Sequence, residues 1–548
     1  MKTLLPLSFL TLASVPATAQ IGAALEAVHI NDTLGGFSGA LDDEDRFGHA
    51  LAKVGDLDGD GITELAVSAP LDDDGGPNRG ALWILFLNAD GSVRTQQKIS
   101  QTSGGFAGTL ADNSLLGWTL AGVGDLDADG KPELVAFGGV PNRFLIFFLD
   151  AAGTVHGHAE ILASDPAFGG ALFARDFGRG LASLGDRDGD GFPDLALGAP
   201  GMDNGQGSVW IVRLGLGGVV SSAHRIAEGV GGFTGDLEPE DTAANNGDGF
   251  GFSLAALGDL DGDGHADLGV FSGQFLSLGS LWTLHLDANE LVVGHTEHGI
   301  GEYGLAMPNG STWGTSDQVA TLGDLDGDGV EEVAIDYSYV DLPGGPDFEG
   351  GVGIASLRAD GSVRRKLLLA RNRGGLGELP GGRSSGFGTS PVALGDLDGD
   401  GARELAVGAP GERSAGGVRK GALWILSLDP DAARNGSGAN PLLLSQTVEP
   451  ALGQVWTPTL DCSADPAGVA TLYGFSEPSA GSFLPAGEIL VGGTRFFLAS
   501  AAHAGTATGF ALAVPVDLAL VNRALFTQGA CSGGVLRLSN ALDVVIGE

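Results

Sequence analysis

The sequence predicts an all-β fold: a β-propeller of four-stranded blades built around cation-binding loops, followed by a small C-terminal β-sandwich. Two observations carry this. An acidic loop of one design recurs six times, starting at Asp56, Asp125, Asp186, Asp259, Asp324 and Asp396. By subtraction the copies stand 69, 61, 73, 65 and 72 residues apart, too far for one hairpin and about the length of a four-stranded blade with its connections.

Within each loop, carboxylates stand at positions 1, 3, 5 and 9, with the backbone carbonyl of position 7 as a further oxygen. The first copy offers Asp56, Asp58, Asp60, Ile62 (carbonyl) and Glu64; the second Asp125, Asp127, Asp129, Lys131 and Glu133; the third Asp186, Asp188, Asp190, Phe192 and Asp194. The fourth offers Asp259, Asp261, Asp263, His265 and Asp267; the fifth Asp324, Asp326, Asp328, Val330 and Glu332; the sixth Asp396, Asp398, Asp400, Ala402 and Glu404. Oxygens converging at this spacing suit a hard cation, and the number of protein oxygens favours Ca2+ over the stricter octahedron of Mg2+. About six Ca2+ ions are expected, one per loop, as structural staples. An EF-hand is excluded, because position 12 is Val67, Ala136, Leu197, Val270, Ile335 or Val407 in place of a bidentate glutamate. The glycine at position 6, Gly61 in the first copy, supplies the sharp turn.

Each loop runs into a short apolar strand with small residues, such as Leu65-Ala66-Val67, read as an inner strand crowding a central channel. The next strand carries a tryptophan in four copies, Trp83, Trp210, Trp282 and Trp424, read as packing between blades. Phe-Gly precedes most loops, at Phe47-Gly48, Phe177-Gly178, Phe250-Gly251 and Phe387-Gly388, with Leu116-Gly117 and Trp313-Gly314 in the other two. Ala-Pro ends three copies, at Ala69-Pro70, Ala199-Pro200 and Ala409-Pro410.

Phe-Gly, the Asp-x-Asp-x-Asp-Gly loop and Gly-Ala-Pro, recurring in that order over about residues 21 to 430, resemble the FG-GAP repeat of the integrin α-subunit propeller. The pattern is similar to that of secreted bacterial FG-GAP proteins. The resemblance implies seven blades, against six loops in this chain. At the N-terminus, Ala27-Val-His-Ile30 followed by Gly35-Gly-Phe37 matches the end of a blade, as Gln97-Lys-Ile-Ser100 followed by Gly104-Gly-Phe106 does. The N-terminal strand is therefore expected to complete the sixth blade and close the ring.

The expected division is a signal peptide at 1–19, ending in Ala17-Thr18-Ala19, the propeller at 20–432, a linker at 433–444 and a sandwich at 445–548. No other stretch is long and apolar enough to span a membrane. Cys462 and Cys531 are expected to form one disulfide in an exported chain. A formal charge of −41 argues against nucleic acid and anionic lipid as partners. Of the 69 carboxylates, 24 belong to the loops, so the metal-free chain repels itself there.

No His-Glu-x-x-His or Gly-x-Ser-x-Gly pattern occurs, and the ten histidines are scattered. The expected function is a secreted, monomeric binding or adhesion module whose partner is an extracellular protein or polysaccharide. The competing expectation is a hydrolase or lyase acting on a polysaccharide or phosphoester at the propeller face.

Overall fold

The computed structural model describes residues 24–138, 143–169, 178–241, 245–273, 279–299, 318–323, 325, 331–338, 350–371, 376, 385–399, 403–414 and 416–428. Toward the C-terminus it describes 433–434, 444–445, 455–456, 458–462, 468–484, 487–503, 507–513, 524–532 and 536–545. The expected signal peptide lies outside the described residues. The chain divides into two compact units, one spanning Ala24–Arg373 and Glu378–Pro430, the other containing Asp431–Glu548.

The first unit holds six four-stranded antiparallel sheets among the described residues. The first described strand is β1 (Ala24–Ile30). The first sheet is β2 (Leu51–Gly55), β3 (Glu64–Ala69), β4 (Ala81–Leu87) and β5 (Val93–Ile99). The second is β6 (Leu120–Val123), β7 (Glu133–Phe137), β8 (Arg143–Leu149) and β9 (Val155–Leu162). The third is β10 (Leu181–Gly185), β11 (Asp194–Gly198), β12 (Val209–Gly215) and β13 (Val219–Ile226). A two-residue ladder, β14 (Glu240–Asp241) with β15 (Asn245–Asn246), precedes the fourth. That sheet is β16 (Ser253–Gly258), β17 (Asp267–Ser272), β18 (Ser280–Leu286) and β19 (Val292–Gly299). The fifth is β20 (Val319–Gly323), β21 (Glu332–Asp336), β22 (Gly351–Leu357) and β23 (Val363–Ala370). The sixth is β24 (Thr389–Gly395), β25 (Arg403–Ala409) and β26 (Ala422–Leu428), completed by β1, which pairs antiparallel with β26 from Ala24↔Leu428 to Ile30↔Leu423.

The first strands of the sheets touch in chain order, β2 with β6, β6 with β10, β10 with β16, β16 with β20 and β20 with β24, and β24 returns to β2. These six strands line a common cavity of ≈ 260 Å³, so they are the innermost strands of a blade-based propeller. This corrects one expectation: the strand after each acidic loop is second from the channel, and the strand before the loop lines it. Both carry small residues, so composition does not separate them; the ladder does, since β2 pairs only with β3 whereas β3 pairs with β2 and β4.

Phe-Gly and Gly-Ala-Pro are the two halves of one seam. Gly48 has φ +86, and a Cβ there would lie 2.1 Å from Ala422 O of β26, while one on Gly408 of β25 would lie 1.9 Å from Gly48 O. Backbones of adjacent blades approach closely enough that only glycine fits. Phe47, Phe250 and Phe387 are buried at these seams. The tryptophans do pack between blades: Phe37, which follows the sixth sheet's outer strand, meets Trp83 edge-on at 5.0 Å, and Phe233 meets Trp282 at 5.2 Å. Burying a side chain of this size contributes about 2–3 kcal/mol, and one such cluster joins the last sheet to the first through Ile30, Phe47, Trp83 and Ile425.

Asp45, two residues before the first Phe-Gly, is buried beside Asp72, where Lys98 Nζ lies 2.8 Å from Asp72 Oδ2. Burial pushes its carboxyl up to about 7, despite the 2.6 Å hydrogen bond donated by the Asp42 N–H. A raised carboxyl favours the fold below its ordinary pKa of 3.8, and that contribution is lost as pH rises to about 7. Asp45→Asn is therefore expected to match the wild type at pH 4 and to be more stable at pH 8, on the order of 4 kcal/mol, read as melting temperature. Equal melting temperatures at pH 8 would contradict this.

In the second unit a five-stranded antiparallel sheet runs in the order Ala433–Arg434, Leu536–Val545, Ala524–Ser532, Gly468–Leu484 and Gly487–His503. Small ladders of Leu444–Ser445, Thr459–Asp461 and Ala507–Gly509, and of Val455–Trp456 with Leu512–Ala513, accompany it. Residues 470–473 and 489–491, short alternating apolar segments in the sequence, are parts of two 17-residue strands. Register shifts within that pair break the alternation that defines a strand in sequence. Cys462 and Cys531 are joined in a disulfide, which suits a non-reducing compartment. Among the described residues no helix is long and apolar enough to cross a membrane.

Candidate metal centres

Each acidic loop joins an innermost strand to the second strand of its sheet. In five sheets the ladder shifts register one residue before the loop and resumes at a left-handed glycine, as at Gly55 (φ 125) and Gly185 (φ 69). That bulge turns the chain out of the strand and starts the loop.

The loop then closes on itself through a repeated set of hydrogen bonds. The position-6 glycine N–H donates to the position-1 aspartate, Gly61 to Asp56 Oδ2 at 2.9 Å, Gly130 to Asp125 at 2.8 Å, Gly191 to Asp186 and Gly264 to Asp259 at 2.9 Å. The position-7 N–H donates to position 5, at 2.8 Å from Ile62 to Asp60, Lys131 to Asp129 and His265 to Asp263, and at 2.9 Å from Phe192 to Asp190. In all six loops the position-2 N–H donates to the position-9 carboxylate, from Leu57 to Glu64 at 2.6 Å through Leu126, Arg187, Leu260 and Leu325 to Leu397 with Glu404 at 2.7 Å. Position 6 has φ near +90 wherever described, which glycine alone adopts without strain. Ala128, where the other copies have glycine, takes φ +64 in the second loop.

These bonds gather the carboxylates. One oxygen each of Asp56, Asp58, Asp60 and Glu64 lies within 4.8 Å of the others, and so do those of Asp125, Asp127, Asp129 and Glu133, and of Asp186, Asp188 and Asp194. In the fourth loop Asp261 and Asp267 gather with His285. Asp324, Asp326, Asp328, Val330, Asp400 and Ala402 lie outside the described residues.

The position-9 residue starts or nearly starts the second strand and is buried in every copy. Glu64 Oε1 and Glu133 Oε1 are buried with no hydrogen-bond donor. Burial first, then the neighbouring aspartates, pushes Glu64 up to about 7 and Glu133 up to about 8. A buried carboxylate oxygen without a donor costs several kcal/mol, and a cation at the centre of the cluster removes that cost. The donor set of hard carboxylate oxygens around an orphaned one fits a divalent cation. In the third and fourth loops the shorter aspartate is satisfied instead by two N–H groups, those of Arg187 and Leu214 for Asp194 and of Leu260 and Leu286 for Asp267.

Basic side chains from other strands of the same sheet meet the loops, and no local pattern in the sequence marks them. Arg94 of β5 reaches Asp58 Oδ2 and Asp60 Oδ2, each at 2.5 Å, and His156 of β9 stands 3.6 Å from Asp127 Oδ2. Arg213 and His285 occupy one register position in β12 and β18, the first 3.8 Å from Asp188 Oδ2, the second 3.0 Å from Asp267 Oδ2. Both accompany an aspartate at position 9, whereas the glutamate loops have Phe86, Phe148, Ser356 or Ser427 at that register. Pairing the loop number with the strand register is the signal that finds them.

A ring of sheets with Phe-Gly seams and acidic hairpin loops defines an FG-GAP type of propeller. The FG-GAP repeat matches residues 47–85, 177–212 and 387–426, which are the three copies that keep both Phe-Gly and Ala-Pro. The chain thus carries three FG-GAP repeats and is similar in sequence to integrin α-subunits. Integrin alpha-PS5 of Drosophila melanogaster is 34% identical over 165 residues, covering 29% of this chain and 15% of that protein. Integrin alpha pat-2 of Caenorhabditis briggsae is 26% identical over 249 residues, covering 42% and 18%. The chain thus spans less than a fifth of the length of these relatives. A copper-containing fungal alcohol oxidase is similar at a TM-score of 0.30 and 11% identity, covering 93% of this chain and 99% of that one, a level that carries no argument.

Proposed function

We propose that this chain is a secreted, calcium-stabilised propeller of six blades that acts as a binding or adhesion module. The observation that carries the calcium reading is the pair of buried, donorless oxygens of Glu64 and Glu133 inside loops whose backbone is already folded around their carboxylates. Cyclic contact of six innermost strands, with β1 zipped onto β26, supports six blades and a closed ring. Likeness to integrin α-subunits supports adhesion or binding, and an extracellular protein or polysaccharide is the proposed partner. The disulfide supports export, with 1–19 as signal peptide, and the five-stranded sheet that includes Ala433–Arg434 supports a C-terminal β domain beginning by residue 433. On this reading the ions are structural. Asp56, Asp58, Asp60, Glu64 and the carbonyl of Ile62 hold one, and the matching residues of the other loops hold theirs. None of the described residues favours the hydrolase or lyase reading.

The test is calorimetric titration of the chelated chain with Ca2+. Uptake near six ions is expected, with Glu64→Gln and Glu133→Gln each lowering the count by one or weakening one site at least tenfold. Uptake unchanged in both variants would remove position 9 from the coordination shell and overturn the assignment.

A further inference from the structure

The chain carries a formal charge of −41, yet the described residues lining the central channel include Lys53 and Arg179 and not one carboxylate. Lys53 sits on β2 with its side chain exposed to the channel, and none of the described ion pairs involves it. Its ammonium is disfavoured by burial and by the guanidinium of Arg403, so two cations from the first and sixth sheets adjoin here. Arg179 stands at the other end, just before β10. Its guanidinium carbon lies 4.9 Å from the Phe252 ring and 5.9 Å from the Trp118 ring. Trp118 in turn meets His49 at 4.4 Å. Burial first, with Arg46 and Arg179 adding to it, pushes His49 down to about 3, so it adds a neutral ring to this rim.

The four rim residues share one origin. His49, Trp118, Arg179 and Phe252 each follow the glycine of a Phe-Gly or Leu-Gly pair, so the seam that locks the blades together also delivers the next side chain to the channel mouth. Between mouth and Lys53 the wall is small and hydroxylated, with Thr119, Ser253, Gln318 and Ser390 among alanines. A cavity of ≈ 260 Å³ exceeds what a bare inorganic ion fills. Aromatic rims, hydroxyl and amide donors and cationic side chains together suit a compact polyhydroxylated acid. The acidic exterior repels a long polyanion, whereas a single carboxylate inside the channel faces Lys53 and no carboxylate among the described lining residues.

We propose that the propeller channel binds one uronic-acid sugar, free or at the end of a neutral glycan, with Lys53 meeting its carboxylate inside the channel and the aromatic rim around Arg179 packing against the sugar at the mouth. This rests on the reading of the propeller as a binding module and adds a site and a ligand class to it. The test uses the full calcium-loaded chain in a calorimeter with glucuronate, glucose, and a neutral oligosaccharide with and without a terminal glucuronate. Expected is saturable one-to-one binding of the acids, none of the neutral sugars, and at least a tenfold loss in Lys53→Met and in Arg179→Gln. Lys53→Met should keep the wild-type melting temperature and calcium count, which separates lost recognition from misfolding. Tighter binding of the capped oligosaccharide assigns the site to glycan ends, and equal affinity assigns it to the free acid. Binding of glucose as strong as glucuronate, no acid uptake, or affinity unmoved by both substitutions would overturn the channel site. Because calcium uptake is read on the same sample, a chain that takes up its ions but no acid sinks this inference alone.

Discussion

Chelating the divalent cations is expected to lower the melting temperature of the propeller further than any substitution within a single loop. An ion that binds only the folded loop stabilises it by RT ln(1 + [L]/Kd). For sites of extracellular affinity, roughly 0.1–1 mM, saturating the chain at about 10 mM Ca2+ contributes roughly 1.4–2.7 kcal/mol per site, on the order of 10 kcal/mol for six. The mechanism is specific: without a cation, Glu64 and Glu133 keep buried oxygens with no donor, and each cluster holds carboxylates within 4.8 Å of one another. Differential scanning calorimetry in chelator and in excess Ca2+ measures the effect. Melting curves that coincide under the two conditions would show that the hydrogen-bonded loop is self-sufficient and that the ions are not staples.

The second large effect is expected at the Phe-Gly seam. Gly48→Ala places a Cβ 2.1 Å from Ala422 O while forcing alanine to φ +86. Neither backbone is free to yield, because Gly48 N–H donates to Ser68 O at 3.0 Å and Phe47 N–H to Lys420 O at 2.9 Å. Left-handed strain of about 1–3 kcal/mol and overpacking of about 1–3 kcal/mol act together. A loss of about 3 kcal/mol or more is expected, at the seam between the sixth and first blades. Gly229→Ala is the control. That glycine has φ +68, and a Cβ added to it would meet nothing within 4 Å, so only the conformational strain of about 1 kcal/mol applies. If chemical denaturation shows the two variants equally destabilised, close backbone approach is not what the Phe-Gly glycine is for.

Basic residues at the loops show where reading along the chain stops. His156 stands on an outer strand where alternation alone suggests a solvated position, yet it faces Asp127 and Asp129 because β9 runs beside the mouth of its own loop. Arg213 and His285 are far in sequence from the aspartates they meet and become equivalent only when the ladders are aligned. Likewise, Ala66 and Ala52 are both small residues in short apolar strands, and nothing local says which strand lines the channel.

Whatever closes within a few residues is legible along the chain. The acidic loops are self-contained, since positions 1 to 9 bond to one another, and their glycines and carboxylates are legible as a spacing. Phe-Gly recurs in four copies and Ala-Pro in three, and the glycine-glycine-phenylalanine segment near the N-terminus marks the end of a blade, in agreement with the pairing of β1 with β26. The rest depends on ring closure and strand register, which bring together residues with no local relation. Closure sets Lys53 beside Arg403, and it gathers His49, Trp118, Arg179 and Phe252 at one mouth. Charges and rings on separate blades share no local spacing, and their meeting is a property of the ring.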